Sequence, residues 1–195
     1  YVAYVHTDEE IDRIAAVDSR GERWPVILAS GHDFYMQPRI SPRGDRLAFI
    51  AWDHPNMPWD GTELWVADID PEREIAHATR VAGGPEESIF QPRWSPRGDL
   101  HFVSDRTGWW NLYVVHAGEA SPLCPREAEF GGPQWVFGLS RYAFLADGTL
   151  ICSFTRDGCD RLGSLRPGSS TLKPFETPFP SHLGGGSVQS DPAGQ

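Results

Sequence analysis

The run Gln37-Pro38-Arg39-Ile40-Ser41-Pro42-Arg43-Gly44-Asp45 returns 54 residues later as Gln91-Pro92-Arg93-Trp94-Ser95-Pro96-Arg97-Gly98-Asp99, with eight of nine positions identical. The residues after each copy also match in type. Leu47-Ala48-Phe49-Ile50 is paralleled by Leu100-His101-Phe102-Val103, and Glu63-Leu64-Trp65-Val66 by Asn111-Leu112-Tyr113-Val114. A weaker third copy opens at Gln134-Trp135 and continues through Ala146-Asp147-Gly148-Thr149-Leu150-Ile151. Arg156-Asp157-Gly158 then resembles Arg106-Thr107-Gly108, and the tail Asp191-Pro192-Ala193-Gly194-Gln195 reads as one more turn of the same kind.

Each copy reads as four short strands. In the second they are Ile89–Trp94, Leu100–Ser104, Asn111–Val115 and Ser121–Pro125, with Pro-Arg-Gly-Asp, Arg-Thr-Gly and Ala-Gly-Glu as the turns between them. No segment keeps a helical period over a helix's usual length. Four-stranded antiparallel units repeating every ~40–50 residues predict an all-β chain, a β-propeller whose blades pack face to face. The expected division is a partial blade over 1–30, blades over 31–83, 84–129 and 130–180, and the start of a further blade or a tail over 181–195. Tyr1–His6, Asp12–Asp18 and Pro25–Ala29 read as three strands of a blade lacking its first, and Gly186–Ser190 as a first strand alone. The chain is then expected to be a slice of a larger propeller, with a closed four-bladed ring as the alternative.

Composition agrees. Eight tryptophans, 20 glycines and 17 prolines in 195 residues suit short strands joined by tight turns. A net charge of −10 with no Lys/Arg cluster disfavours nucleic acid. No apolar stretch approaches the roughly 18–20 residues of a membrane helix, and no signal peptide is visible. Three cysteines, Cys124, Cys152 and Cys159, lack zinc-ligand spacing and suggest a reduced, cytoplasmic chain; an exported chain without its leader is the alternative. The seven histidines are scattered, so neither a metal nor another cofactor is expected.

Three longer runs are more specific. They are Trp52-Asp53-His54-Pro55-Asn56-Met57-Pro58-Trp59-Asp60-Gly61-Thr62-Glu63-Leu64-Trp65, Gly83-Gly84-Pro85-Glu86-Glu87-Ser88-Ile89-Phe90-Gln91-Pro92 and Ser104-Asp105-Arg106-Thr107-Gly108-Trp109-Trp110-Asn111-Leu112-Tyr113. Together they resemble the N-terminal propeller of the prolyl oligopeptidase family of serine peptidases, in its dipeptidyl aminopeptidase/acylaminoacyl peptidase-like branch. The Ser-Pro-Arg-Gly-Asp turns alone resemble the broader TolB-like propeller repeats. The resemblance implies a propeller that gates and positions short peptides for an α/β-hydrolase domain carrying a Ser-Asp-His triad. No G-x-S-x-G nucleophile elbow occurs in this chain; Gly185-Gly186-Ser187-Val188-Gln189 lacks the final glycine. No catalytic residue is therefore assigned here. The other reading is a non-catalytic TolB-like module that binds proteins or peptides.

Glu86-Glu87 is the leading candidate site. In the related dipeptidyl peptidases a glutamate pair in the propeller grips the substrate's free amino group, and paired carboxylates suit an ammonium. The alternative is a solvated loop or strand-end acid partnered by a nearby arginine. The run from Trp52 to Trp59, with His54 and Met57 between them, is too long for a tight hairpin. It is expected to line a pocket, dock on a partner domain or cover the end of a blade. Trp109-Trp110 is expected in blade packing. The recurring Asp105-Arg106 and Arg156-Asp157 suggest structural ties, with a carboxylate clamp as the minor reading.

Overall fold

The computed structural model describes residues 1–69, 75–178 and 188–190. These hold four antiparallel sheets and no helix. Blade 1 has three strands, β1 (Val2–Asp8), β2 (Ile11–Val17) and β3 (Val26–Ala29). Blade 2 has β4 (Phe34–Ile40), β5 (Arg46–Trp52), β6 (Glu63–Ile69) and β7 (Ile75–Gly83). Blade 3 has β8 (Ile89–Trp94), β9 (Leu100–Ser104), β10 (Asn111–His116) and β11 (Glu119–Pro122). Blade 4 has β12 (Tyr142–Phe144), β13 (Leu150–Arg156), β14 (Cys159–Leu165) and β15 (Lys173–Pro174). Within every blade, strands adjacent in sequence are adjacent in space. The fold is the β-propeller that the repeat predicts.

The repeated nonapeptide builds the same two devices twice. Its Ser-Pro-Arg-Gly-Asp half is a turn. The Ser41 N–H donates to the Arg46 carbonyl at 2.8 Å, and the Gly44 N–H donates to the Ser41 carbonyl at 2.9 Å. The counterparts Ser95–Asp99 and Gly98–Ser95 stand at 2.8 and 2.9 Å. Gly44 and Gly98 take φ of 76° and 88°, a region that only glycine enters cheaply. The Gln-Pro-Arg half is a β-bulge. Register shifts between Met36 and Arg39 and again between Phe90 and Arg93. Gln37 and Gln91 both sit at positive φ, 53° and 52°, and both are buried. The bulge turns the Gln91 amide toward blade 4 and the Gln37 amide toward Gln134 in the loop that precedes blade 4.

The third copy has a different register from the one its sequence suggests. Gln134-Trp135 lies in a loop, and the inner strand is Tyr142–Phe144 alone. The turn is Leu145–Thr149, where the Gly148 N–H donates to the Leu145 carbonyl at 2.9 Å. Leu145 thus stands where Ser41 and Ser95 stand, and Arg141, counted back from it, takes the number of Gln37 and Gln91 but without their bulge or positive φ. In blade 3 the last strand is Glu119–Pro122, not Ser121–Pro125. Ala117 and Gly118, at φ 50° and 84°, close a two-residue hairpin that pairs His116 with Glu119, so the strand starts earlier. Of the expected strand Gly186–Ser190, Val188–Ser190 are described and are not in a sheet. The Val188 N–H donates to the Ser140 carbonyl at 3.0 Å. The expected turn Asp191–Gln195 and most of the expected segment 181–195 lie outside the described residues.

Three apolar clusters fill the three spaces between consecutive blades. Ile14, Ala16 and Leu28 meet Tyr35, Leu47 and Phe49 between blades 1 and 2. Ile50 and Leu64 meet Ile89, Phe102 and Tyr113 between blades 2 and 3. Phe90, Val103 and Leu112 meet Phe130, Tyr142 and Phe154 between blades 3 and 4. Burying one such side chain stabilises by roughly 1.5–3 kcal/mol. Polar ties add register. Arg46 lies over the Trp94 ring at 4.6 Å and donates to the Gly98 carbonyl at 3.1 Å. The Tyr142 hydroxyl donates to the Gln91 carbonyl at 2.7 Å.

His101 makes one blade interface sensitive to pH. Its ring is buried, meets Phe144 edge-on at 4.8 Å, and has Nδ1 3.1 Å from the Asp99 carbonyl. Burial holds this imidazole below its ordinary value of 6.5. Above that value both folded and unfolded chains carry the neutral ring, and the contribution is level. As pH falls below it, the unfolded chain takes up the proton first, so stability drops until the folded ring also titrates. The urea midpoint should fall between about pH 7 and about pH 5, and His101→Gln should flatten that part of the curve. A variant curve parallel to the wild type would contradict this.

Candidate functional site

Strands β4 and β8 begin at the same end of the molecule, β5 and β9 finish there, and β6 and β10 start back from it. This upper end therefore collects the connection before each inner strand and the loop after each second strand. It holds every residue singled out above as a candidate site.

The long loop 53–62 and the connection 84–88 are sewn together. Asn56 Nδ2 donates to the Pro85 carbonyl at 3.0 Å, and Ser88 Oγ donates to the Pro58 carbonyl at 2.6 Å. The Thr62 N–H donates to the Glu87 carbonyl at 2.9 Å, and Thr62 Oγ1 accepts the Ile89 N–H at 2.8 Å. Gly61 permits this approach, because a Cβ there would run into the Pro85 carbonyl. Two crossed Asp–His pairs clip the entrance of the loop. His32 Nδ1 lies 2.9 Å from Asp53 Oδ2, and His54 Nδ1 lies 3.0 Å from Asp33 Oδ2. The His54 N–H and ring hold the Asp33 carboxyl below its usual range.

The loop side chains divide between two environments. Trp52 is buried and stacks on Phe34 at 5.1 Å. His54, on the cis side of a His54–Pro55 peptide bond, is exposed and packs on Phe34 at 4.8 Å. Trp52, His54, Asn56 and Glu63 line a groove of about 220 Å³. Met57 is half-exposed, and Trp59 meets Trp135 at 4.3 Å.

Glu86 is exposed. Glu87 is partly buried, and its Oε1 accepts from Ser104 Oγ at 2.6 Å, Arg106 Nε at 2.9 Å and Arg106 Nη2 at 2.7 Å. All three fall on one oxygen, which leaves Oε2 able to take a further donor. Arg106 is steadied by the Tyr113 ring 4.7 Å from its guanidinium carbon. Beneath it Asp105 accepts the Ser88 N–H at 2.8 Å, while burial pushes its carboxyl above the usual range. Arg156 does not repeat this arrangement; it is exposed and reaches Asp157 at 3.7 Å. Trp110 packs into the interface of blades 3 and 4, whereas Trp109 is exposed.

Sequence reading missed one feature of this end. Between β11 and β12 the chain runs through Gly131-Gly132-Pro133-Gln134-Trp135-Val136-Phe137-Gly138 outside any strand. Trp135, Val136 and Phe137 are 70%, 60% and 62% exposed. Behind them a cleft of about 430 Å³ has apolar walls from Phe90, Trp135, Val136 and Leu139. Its polar lining is Ser140, Arg141, Thr155 and Asp160. Arg141 Nη2 donates to Thr155 Oγ1 at 2.8 Å and lies 3.6 Å from Asp160. Thr155 Oγ1 donates in turn to Asp160. An apolar triplet between glycines and outside strand periodicity is the signal that would have found it. Among the described residues no three His, Cys, Asp or Glu side chains gather as a metal-binding group.

No family profile matches the chain, and no curated protein sequence matches it. Solved structures do. A crystal structure of puromycin hydrolase is 37% identical with a TM-score of 0.83, over 92% of this chain and 28% of that one. A puromycin-hydrolysing peptidase of Mycobacterium tuberculosis is 35% identical with a TM-score of 0.81, again over 92% and 28%. Prolyl oligopeptidase B of Galerina marginata shares the fold at 13% identity and a TM-score of 0.65, over 91% of this chain and 25% of that one. The chain thus spans under a third of the length of these peptidases. Its repeat, its blades and these likenesses agree: the chain is a β-propeller, similar to the part of puromycin hydrolase that it matches and sharing its fold with part of a prolyl oligopeptidase.

Proposed function

We propose that the upper end of this propeller receives short peptides and orients them for amide hydrolysis by an α/β-hydrolase domain of the same protein. The observation that carries the reading is the convergence on one end of an acidic pair, an aromatic loop and a lined cleft. That end belongs to a propeller 37% identical to part of puromycin hydrolase. Puromycin is an aminoacyl amide with a free amino group. Glu86 and Oε2 of Glu87 would hold such an ammonium by charge-assisted hydrogen bonds and so set the register of the scissile bond. This makes an exopeptidase acting at a free amino terminus the favoured form within the branch that the sequence resembles. The blades would screen out folded proteins. The cytoplasm is the proposed location, because Cys124, Cys152 and Cys159 are all free thiols.

The test uses the full-length protein. It should release the amine from puromycin and from short free-amino anilides, should lose that activity to a serine-directed inhibitor, and should leave a folded protein uncut. Failure on every short amide would contradict the reading.

A further inference from the structure

The repeat breaks at one functional-looking position. Counted back from the turn, blades 2 and 3 carry glutamine: the Gln37 amide donates to Gln134 in the loop before blade 4, and the Gln91 amide reaches Ser140 and Tyr142 at the start of blade 4. Blade 4 carries Arg141, whose side chain instead turns to Thr155 and Asp160 within its own blade. Its inner strand begins only after this residue, so the loop 131–140 stands away from the sheet and the cleft opens between them. Blade 4 also departs from the repeat in its turn, but only at Arg141 does the change place a charged side chain in a cleft.

The chemistry of the cleft is specific. Arg141 and Asp160 are 14% and 15% exposed, so both are largely taken out of water. Arg141 Nε is buried with no hydrogen-bond partner among the described residues. The two charges balance, so the cleft does not ask for an ionic ligand. It offers a guanidinium donor beside a carboxylate acceptor, the complement of one peptide unit with its C=O and N–H. Phe90, Trp135, Val136 and Leu139 give the remaining wall to an apolar side chain. The volume lies within the range of small-ligand sites. The Trp59–Trp135 contact joins this cleft to the loop sewn against Glu87, so one extended peptide could lie along both.

We infer that the Arg141–Asp160 cleft is a specificity subsite that binds one peptide unit bearing an aromatic or large aliphatic side chain. This rests on the peptide-handling reading above and names what it selects.

The experiment uses the full-length protein and two series of free-amino peptide anilides, alike except for phenylalanine or alanine at one position. Arg141→Gln restores the residue found in the other copies and should fold. Trp135→Ala alters a mostly exposed side chain. Each variant should lower kcat/KM for the phenylalanine series about tenfold more than for the alanine series, mainly through KM. Equal losses in both series would overturn the subsite and leave the loop as a contact for another domain. If the wild type hydrolyses neither series, the peptidase reading fails, and binding decides the subsite. Saturable quenching of tryptophan fluorescence by a phenylalanine-containing peptide, weakened about tenfold in Arg141→Gln, would support it. No saturable quenching would overturn it.

Discussion

Changing Gln91 to leucine should destabilise the protein by about 3–5 kcal/mol, whereas Gln37→Leu should cost about 1 kcal/mol. The two residues occupy the same place in the repeat, yet their partners differ. Gln91 Nε2 donates to the Tyr142 carbonyl at 2.6 Å and to Ser140 Oγ at 2.8 Å. Its Oε1 accepts the Arg141 N–H at 2.6 Å and the Tyr142 N–H at 3.3 Å. Leucine is close to glutamine in size, so little cavity opens. The cost comes from buried backbone groups of blade 4 left without partners, at about 1–3 kcal/mol each. Gln37 loses one side-chain bond, to Gln134 at 2.8 Å, and its own Oε1 has no partner among the described residues. Urea unfolding of both variants measures the difference. Equal losses would mean that the Gln91 amide does not stitch blade 3 to blade 4.

The blades were legible in the sequence because each turn depends on local chemistry. Ser41, Gly44 and Asp45 interact with one another, so their recurrence at Ser95, Gly98 and Asp99 announced the same turn. Blade 4 was misread for a related reason. Its turn lacks the serine, and Gln134 imitates the lost glutamine although it sits in a loop. The candidate site was legible only in part. Loop 53–62 was visible from its length, and Glu86-Glu87 from its paired acids. An arginine partner for this pair was one of the two readings open in the sequence; that it is Arg106, and that it takes Glu87 and not Glu86, came from the structure. Nor could the cleft, since Arg141, Thr155 and Asp160 meet only once β13 and β14 pair.

Neutralising the acidic pair, with Glu86→Gln and Glu87→Gln together, should raise KM about thirtyfold for free-amino substrates of the full-length protein. Hydrogen bonds to charged groups contribute about 1.5–3 kcal/mol. Glu86 is exposed, and one oxygen of Glu87 is already committed to Arg106, so the lower part of that range applies. About 2 kcal/mol corresponds to that thirtyfold change. The double variant also removes a partner of Arg106, so a change in KM alone would not separate grip from local structure.

The ratio of kcat/KM between a free-amino substrate and its N-acylated counterpart does separate them. Disturbed structure lowers both, whereas a lost ammonium grip lowers only the first. Measured on the full-length protein, this ratio should fall about thirtyfold in the double variant. An unchanged ratio, with both substrates weakened alike, would contradict the claim that this end of the propeller positions the substrate by its amino group.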